Sequence, residues 1–248
     1  MEAPRTHSPH RESNPRSEWK SPVYIPAHFA ASPDSVRHLL SRPAAANLVT
    51  ATANGMLATL LPFIYDPAAG EHGALHGHLA RNNPQWSEPA LGESLVIIQG
   101  ADAYISPTWY ASKAEHGRVV PTWNYSTAHV YGNLVIHDDP AWLAAHVRRL
   151  SDHNEAASER PWTVDDAPER YIAGQLRAIV GVELLITRIE AKHKLSQNRP
   201  DADIDGVVAG LRTRGQTEIA ADVVAAREAR EQARCPHSGA PAGSAGPS

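Results

Sequence analysis

The stretch LVTATANGMLATLLPFIY, residues 48–65, decides the fold class of this chain. Two apolar runs, residues 48–52 and 56–65, flank the pair Asn54-Gly55. An Asn-Gly pair readily adopts the positive φ angles that a tight hairpin turn requires. The stretch therefore predicts two antiparallel strands joined by a short turn.

The same pattern continues outward from this hairpin. Further strands are predicted at 74–79, 94–99, 103–106, 126–136 and 179–189, and helices at 32–40, 84–91, 139–155, 168–176, 204–212 and 217–234. Short strands in succession, with most helices late in the chain or in isolated connections, favour an antiparallel sheet or barrel over a doubly wound parallel sheet. The predicted fold class is α+β with appended C-terminal helices.

Length and composition set the limits of this domain. The chain has 248 residues, of which 42% are hydrophobic, enough for one large domain or two small ones with a buried core. Residues 1–20 and 235–248 are poor in aliphatic side chains and predict a disordered leader and a disordered tail. We expect a folded domain over residues 21–200, followed by C-terminal helices over residues 201–234.

Charge and cysteine content exclude several classes of function. Cys235 is the single cysteine, which rules out an internal disulfide framework and a cysteine-rich metal site. The formal net charge of -4 offers no basic surface for nucleic acid, so direct DNA binding is not supported by charge. Neither a signal peptide nor a membrane span is recognisable, and we expect a soluble, cytoplasmic protein without a membrane partner.

The densest polar stretch is HGHLARNNPQW, residues 76–86. His76 and His78 would share one face of a strand, where two imidazoles can bind a metal, although half-exposed strand histidines that bind nothing are commoner. Arg81 and the asparagines after it precede a predicted helix N-terminus, and such groups together favour a phosphate site. A solvated turn with an asparagine N-cap is the alternative interpretation.

Three other stretches combine ring and polar side chains. In YISPTWY (104–110) and PTWNYSTAHVYG (121–132), tryptophan and tyrosine stand beside hydroxyl and amide groups, a composition suited to the wall of a planar ring system. Core packing is the alternative for each tryptophan. The basic stretch KHKLSQNR (192–199) follows an apolar strand, and composition alone predicts no more than a solvated strand exit there.

Taken in order, several strings resemble the PaiB family of FMN-binding negative transcriptional regulators. The resemblance covers about residues 22–215 and includes the highly specific strings PTWNY and KLSQNR; the strings are VYIPAHF (23–29), ATLLPF (58–63), GHLARNNPQW (77–86), AYISPTWY (103–110), VPTWNY (120–125), VGVE (180–183) and KLSQNR (194–199). The resemblance implies a split β-barrel like that of the pyridoxamine-phosphate-oxidase flavoproteins, and a homodimer with FMN at the subunit interface.

The resemblance also implies roles for individual residues. Arg81 is expected to clamp the FMN phosphate with Thr59 close by, while Trp123, Asn124 and His129 approach the ring from the same subunit or from the partner subunit. The full set of expected cofactor-binding residues is Thr59, His78, Leu79, Ala80, Arg81, Asn83, Trp86, Trp123, Asn124, His129, Ser196 and Gln197.

One departure from the family pattern keeps a second cofactor open. Many members carry histidine where this chain has Leu60, and a second branch, the piperazate synthases, binds haem b and closes an N–N bond in a hydroxylated ornithine. Leu60 counts against haem, but His76, His78 and His129 stay candidate axial ligands.

The sequence therefore leaves several functions to be decided. The leading hypothesis is a flavin-linked regulator or a small oxidoreductase that acts on a small molecule, and the alternative is a haem-dependent synthase. A DNA-binding helix-turn-helix around residues 210–215 is the third hypothesis. The apolar stripe of residues 217–234 argues against it, because that stripe is typical of a helix packed on its own domain or on a partner.

Overall fold

The computed structural model describes residues 24–42 and 44–234, so the predicted leader and tail lie outside the described residues. Six antiparallel strands form a closed barrel in the spatial order β1-β2-β3-β6-β5-β4, and β4 pairs back onto β1. The strands are β1 (Ala44–Thr52), β2 (Gly55–Asp66), β3 (Ala74–Ala80), β4 (Ser94–Ile105), β5 (Thr122–His137) and β6 (Ile179–Lys194). The predicted antiparallel barrel class is confirmed.

Helices occupy the connections and the end of the chain. They are α1 (Pro33–Ser41), α2 (Ser112–His116), α3 (Pro140–Glu155), α4 (Glu169–Leu176), α5 (Asp201–Thr213) and α6 (Thr217–Arg234), with single 3₁₀ turns at Ala27–Phe29, Pro84–Trp86, Pro107–Trp109 and Val164–Asp166. Within the part of the chain that the structure describes, no helix combines the length and apolarity that crossing a membrane requires.

The quoted hairpin forms as its sequence predicts. β1 and β2 pair continuously down to Thr52 opposite Gly55, whose φ of 118° suits a residue without a side chain. The hydroxyl of Thr52 donates to the carbonyl of Gly55 and completes the turn. Alternate side chains then point into the barrel, where Leu48, Leu61 and Val96 are almost fully buried. Burial of each such side chain stabilises the fold by about 1.5–3 kcal/mol.

A second apolar core lies where the C-terminal helices pack on β4. Ile204 and Leu211 of α5 and Ile219 and Val223 of α6 are buried in it. The apolar stripe of α6 therefore packs on its own domain. A Cβ added at Gly206 would lie 1.9 Å from the carbonyl oxygen of Trp109, so only glycine allows this close contact.

Two local predictions are wrong for identifiable reasons. The helix predicted over residues 84–91 is a single 3₁₀ turn, because Pro89 disfavours helical backbone at the residue before it. The two strands predicted at 94–99 and 103–106 are one strand, β4, whose register shifts between Gln99 and Asp102. In the sequence, Gly100 suggests the end of one strand and the start of another. In the structure it lies in a bulge within a single strand.

Candidate functional site

Arg81 lies directly after β3 and ties three segments together. Its Nε donates to the carbonyl of Arg177 at 2.8 Å, one terminal nitrogen donates to a carboxylate oxygen of Asp138 at 3.0 Å, and the other donates to the carbonyl of Ile179 at 3.0 Å and to the second oxygen of Asp138. This bonding holds the pKa of Asp138 below its usual range. The structure thus pairs the expected phosphate clamp with an internal carboxylate, and 38% of the Arg81 side chain is exposed.

The neighbouring polar side chains form a closed network at the same end of the barrel, which we call the barrel-end network. The hydroxyl of Thr59 donates to the amide oxygen of Gln85 at 2.6 Å and accepts from the amide of Asn83 at 3.0 Å. Gln85, 1% exposed, donates in turn to the carbonyl of Leu48 and to Thr50. Thr59 and Asn83 therefore have their hydrogen-bond partners within the barrel-end network. The sequence did not indicate Gln85, which lies at the centre of this network.

The remaining members of this stretch have structural contacts as well. The indole nitrogen of Trp86 donates to the carbonyl of Arg81 at 2.7 Å. Leu79 is buried in the barrel core, and Ala80, the last residue of β3, is exposed. The end of β3 is thus held in place by its own side chains.

Four histidines form a cluster between the barrel wall and α3, the histidine cluster: His76, His78, His137 and His146. Nε2 of His76 and Nε2 of His137 each lie 2.9 Å from one carboxylate oxygen of Glu183. Nδ1 of His78 lies 3.1 Å from Nε2 of His146. His76 and His78, named above as candidate axial ligands for the haem alternative, are therefore engaged by other side chains of the protein. No group of three or more His, Cys, Asp or Glu suited to a metal occurs in residues 24–42 and 44–234.

Burial sets the protonation of this cluster. Desolvation, together with the charges of its neighbours, lowers the pKa of His146 to about 3, and burial lowers the pKa of His78. Burial raises the pKa of Glu183, but hydrogen bonds from His137 and His76 outweigh that effect and lower it. Sequence analysis missed His137 and His146. Helical spacing could have indicated His146, because Trp142 and His146 are four residues apart and so share one face of α3. In the structure their two rings stack on each other.

The residues expected beside the ring meet a cavity of about 570 Å³ on the outer side of β4, β5 and β6, here called the aromatic cavity. Trp123 is 53% exposed. Its ring packs edge to face against that of Tyr104, with 6.2 Å between the two ring centroids. His129 lines the same cavity and has no hydrogen-bond partner among the described residues. The cavity is lined by Ile97, Gln99, Gly100, Asp102, Trp123, Tyr125, Ser126, Thr127, His129 and Lys192.

Three expected site residues point elsewhere. The amide of Asn124 donates to the hydroxyl of Ser196 at 2.9 Å, and both side chains are buried. Gln197 donates to the carbonyl of His193 at 2.7 Å and accepts from the backbone of Leu195. Asn124, Ser196 and Gln197 therefore shape the end of β6 and do not line the aromatic cavity.

A larger cavity, about 690 Å³, lies between α1 and α6. Its two arginines are already paired, Arg42 with Glu218 and Arg230 with Asp201. Four alanines of α6 form much of the wall. Because its strongest charges are neutralised within the chain, this cavity is a weaker candidate for a charged cofactor than the aromatic cavity.

The two regions stand at opposite ends of β5. Asp138, the partner of Arg81, follows the last residue of β5, whereas Trp123 is its second residue. At roughly 3.3 Å per residue, the fifteen steps between them correspond to as much as about 50 Å along the strand. Within one protomer, Arg81 and Trp123 therefore lie at opposite ends of this strand.

Comparison with known proteins identifies the family. Residues 23–188 match the family model described as "Putative FMN-binding domain". The chain belongs to this FMN-binding domain family. It is 30% identical to the protease synthase and sporulation protein PAI 2 of Bacillus subtilis, over 76% of this chain and 89% of that relative. An uncharacterized protein of Emericella nidulans is also 30% identical, over 78% of this chain and 92% of the relative.

Among solved structures, the flavocytochrome Anf3 from Azotobacter vinelandii matches with a TM-score of 0.46 and 14% identity, over 65% of this chain and 67% of that one. The family match and the relationship to PAI 2 confirm the PaiB resemblance. With the closed antiparallel barrel, they make the chain a split-barrel protein of the FMN-binding domain family.

Proposed function

We propose that this protein binds FMN with the flavin ring against the aromatic cavity, and that it works as a flavin-linked regulator or a small oxidoreductase. One observation carries the proposal: the cavity combines the half-exposed face of Trp123 with the imidazole of His129, which has no hydrogen-bond partner in the part of the chain that the structure describes. A flat apolar surface with few polar groups is the usual wall of a planar ligand. Bound flavin would supply hydride or electron transfer, while Trp123 stacks on the ring and excludes water.

The phosphate would bind Arg81 by replacing Asp138. A phosphate offers the guanidinium the same paired oxygens as the carboxylate does, and the partly exposed side chain is open to exchange. The exchange keeps the bonds from Arg81 to the carbonyls of Arg177 and Ile179.

A homodimer would bring these two regions together. Because Arg81 and Trp123 lie at opposite ends of β5, a nucleotide that meets both needs residues from two subunits. The outer face of β2 exposes Met56 and Leu60, at 67% and 63%. Large exposed apolar side chains on a sheet face favour association with a partner.

The first test is the absorption spectrum of purified protein after incubation with FMN. We expect flavin bands that stay with the protein through gel filtration, and weaker FMN binding in Trp123→Ala and Arg81→Ala. Protein that stays colourless with FMN would overturn the proposal. A Soret band after expression with haem would instead favour the haem alternative, for which His129 is the candidate ligand not engaged by another described residue.

A second measurement separates the two versions of the function. If the protein is an oxidoreductase, a reduced nicotinamide cofactor should bleach the bound flavin, and an acceptor should restore it. If it is a regulator, the flavin should stay oxidised while a defined operator fragment is shifted in a gel, with strong dependence on salt.

A further inference from the structure

Three cations lie together at the end of β6: Lys192, Lys194 and Arg199, here called the basic strand end. None of them forms an ion pair with a carboxylate of the described residues, in contrast to Arg188 on the same strand, which lies near Glu93 and Glu190. Uncompensated positive charges that lie close together mark a place where an anion is stabilised.

Both lysines lie next to Tyr125, a residue of the aromatic cavity wall. The ammonium group of Lys192 lies 5.6 Å from the ring centre of Tyr125 and that of Lys194 lies 6.0 Å from the same centre. Tyr125 and Lys192 both line the cavity. Lys192 donates to the carbonyl of Tyr24, and Lys194 donates to the carbonyl of Trp123 at 2.7 Å. The ammonium group of Lys192 therefore belongs to the cavity lining, and that of Lys194 lies at the rim, beside the same ring of Tyr125.

Electrostatics shows that these charges act on one another. Burial lowers the pKa of Lys194, and the positive charges of Lys192 and Arg199 lower it further, with no acidic group acting in the opposite direction. The carboxylate on the cavity wall, Asp102, is opposite Tyr125, which is opposite Lys194. The backbone of Asp102 thus lies two strand spacings, about 10 Å, from that of Lys194, and Asp102 forms no ion pair with either lysine among the described residues.

The backbone holds the basic strand end rigidly. Ser196 is the one non-glycine residue with positive φ, 67°, in residues 24–42 and 44–234. Its buried hydroxyl is fixed by Asn124, and Gln197 bonds the backbone on both sides of Lys194. Strained backbone that neighbouring side chains hold in place is typical of sites that must be preorganised.

We propose that Lys192 and Lys194 form an anion subsite at the rim of the aromatic cavity, so that the planar ligand bound there carries a carboxylate or phosphate. The proposal rests on the proposed function for the cavity and adds the charge of its ligand. Two sources of the anion share this chemistry: an anionic ring substrate that meets the flavin, and the phosphate of FMN itself.

The experiment compares wild type with the double variant Lys192→Gln/Lys194→Gln. Lys113→Gln is the matched control, since Lys113 lies exposed on α2, and Lys192→Arg/Lys194→Arg keeps the charge. Affinities for FMN and riboflavin are measured by flavin fluorescence. Affinities for benzoate and its neutral analogue benzamide are measured by the change in flavin absorbance of FMN-loaded protein, and by tryptophan fluorescence of flavin-free protein.

In wild type and in Lys113→Gln we expect benzoate to bind at least about tenfold more tightly than benzamide, and the Gln double variant to lose this preference. The Arg double variant should keep it. If the double variant instead loses the preference for FMN over riboflavin, the lysines bind the FMN phosphate. The anion subsite is then supported, with the cofactor and not a substrate as the source of the anion.

The proposal would be overturned if the folded variant Lys192→Gln/Lys194→Gln had the wild-type affinity ratio both for FMN over riboflavin and for benzoate over benzamide. Wild type that binds neither FMN nor riboflavin would contradict the proposed function separately. The subsite is then judged by the benzoate to benzamide ratio in flavin-free protein, and a ratio near one would overturn it.

Discussion

The barrel-end network and the aromatic cavity both contain polar side chains, but they differ in how many of those side chains have partners within the chain. At the barrel end, Thr59, Asn83 and Gln85 each have a partner within the chain. At the cavity, His129 has no hydrogen-bond partner among the described residues, and Lys192 and Lys194 donate to carbonyl groups but form no ion pair with a described carboxylate. Polar groups saturated inside a fold stabilise it, and groups left without partners are those available to a ligand.

The largest effect should come from breaking the barrel-end network. Gln85→Ala removes four internal hydrogen bonds and opens a cavity under Thr50 and Thr59. We expect the free energy of unfolding to fall by about 2–4 kcal/mol, measured by urea denaturation. Gln99→Ala, exposed at the aromatic cavity, should change it by less than about 0.5 kcal/mol. A loss below about 1 kcal/mol in Gln85→Ala would show that the network is not structural.

A second test uses the hydrogen-bonded pair His78–His146, which lies between the barrel wall and α3. Because burial lowers the pKa of His146 to about 3, the unfolded chain takes up a proton below about pH 6.5 that the folded chain does not. Its contribution to stability is therefore fully present above pH 6.5 and is lost progressively as the pH falls toward 3.

At about 1.4 kcal/mol per pH unit, lowering the pH from 7 to 5 should cost the wild type about 2 kcal/mol more than His146→Gln. Urea denaturation at both pH values measures this difference. His116→Gln, an exposed histidine of α2, should follow the wild type. Parallel losses in wild type and His146→Gln would contradict the expected neutral imidazole.

The smallest effect tests Arg81, which lies at the barrel end and is the proposed phosphate contact of the nucleotide whose ring meets the aromatic cavity. If phosphate replaces Asp138 at Arg81, Asp138→Asn should tighten FMN binding severalfold and leave riboflavin binding unchanged, because a competing charge is removed. Asp165→Asn is the matched control, since Asp165 pairs with Arg148 in the same two-oxygen geometry. Equal FMN affinity in both variants, measured by fluorescence titration, would remove Arg81 from the phosphate site.

The sequence predicts the barrel well and the site only in part, for a physical reason. Strand pairing follows from local signals such as Asn54-Gly55 and the apolar runs on either side of it. The roles of Thr59 and Asn83 depend on Gln85, which meets Thr59 across 26 positions of sequence. The bond between His78 and His146 spans 68 positions. Neither contact leaves a periodic trace in the sequence.

The tight contact between α5 and Trp109 also makes the cavity depend on the end of the chain. Trp109 sits on Gly206 and Gly210, and the backbone and hydroxyl of Ser112 donate to the buried carboxylate of Asp203 at 2.9 and 2.8 Å. These anchors fix the connection that delivers Trp123 to its place. A chain shortened at residue 200 would keep every barrel strand but would lose these contacts with α5. The C-terminal helices therefore help to hold in position the segment that leads to Trp123 in the aromatic cavity.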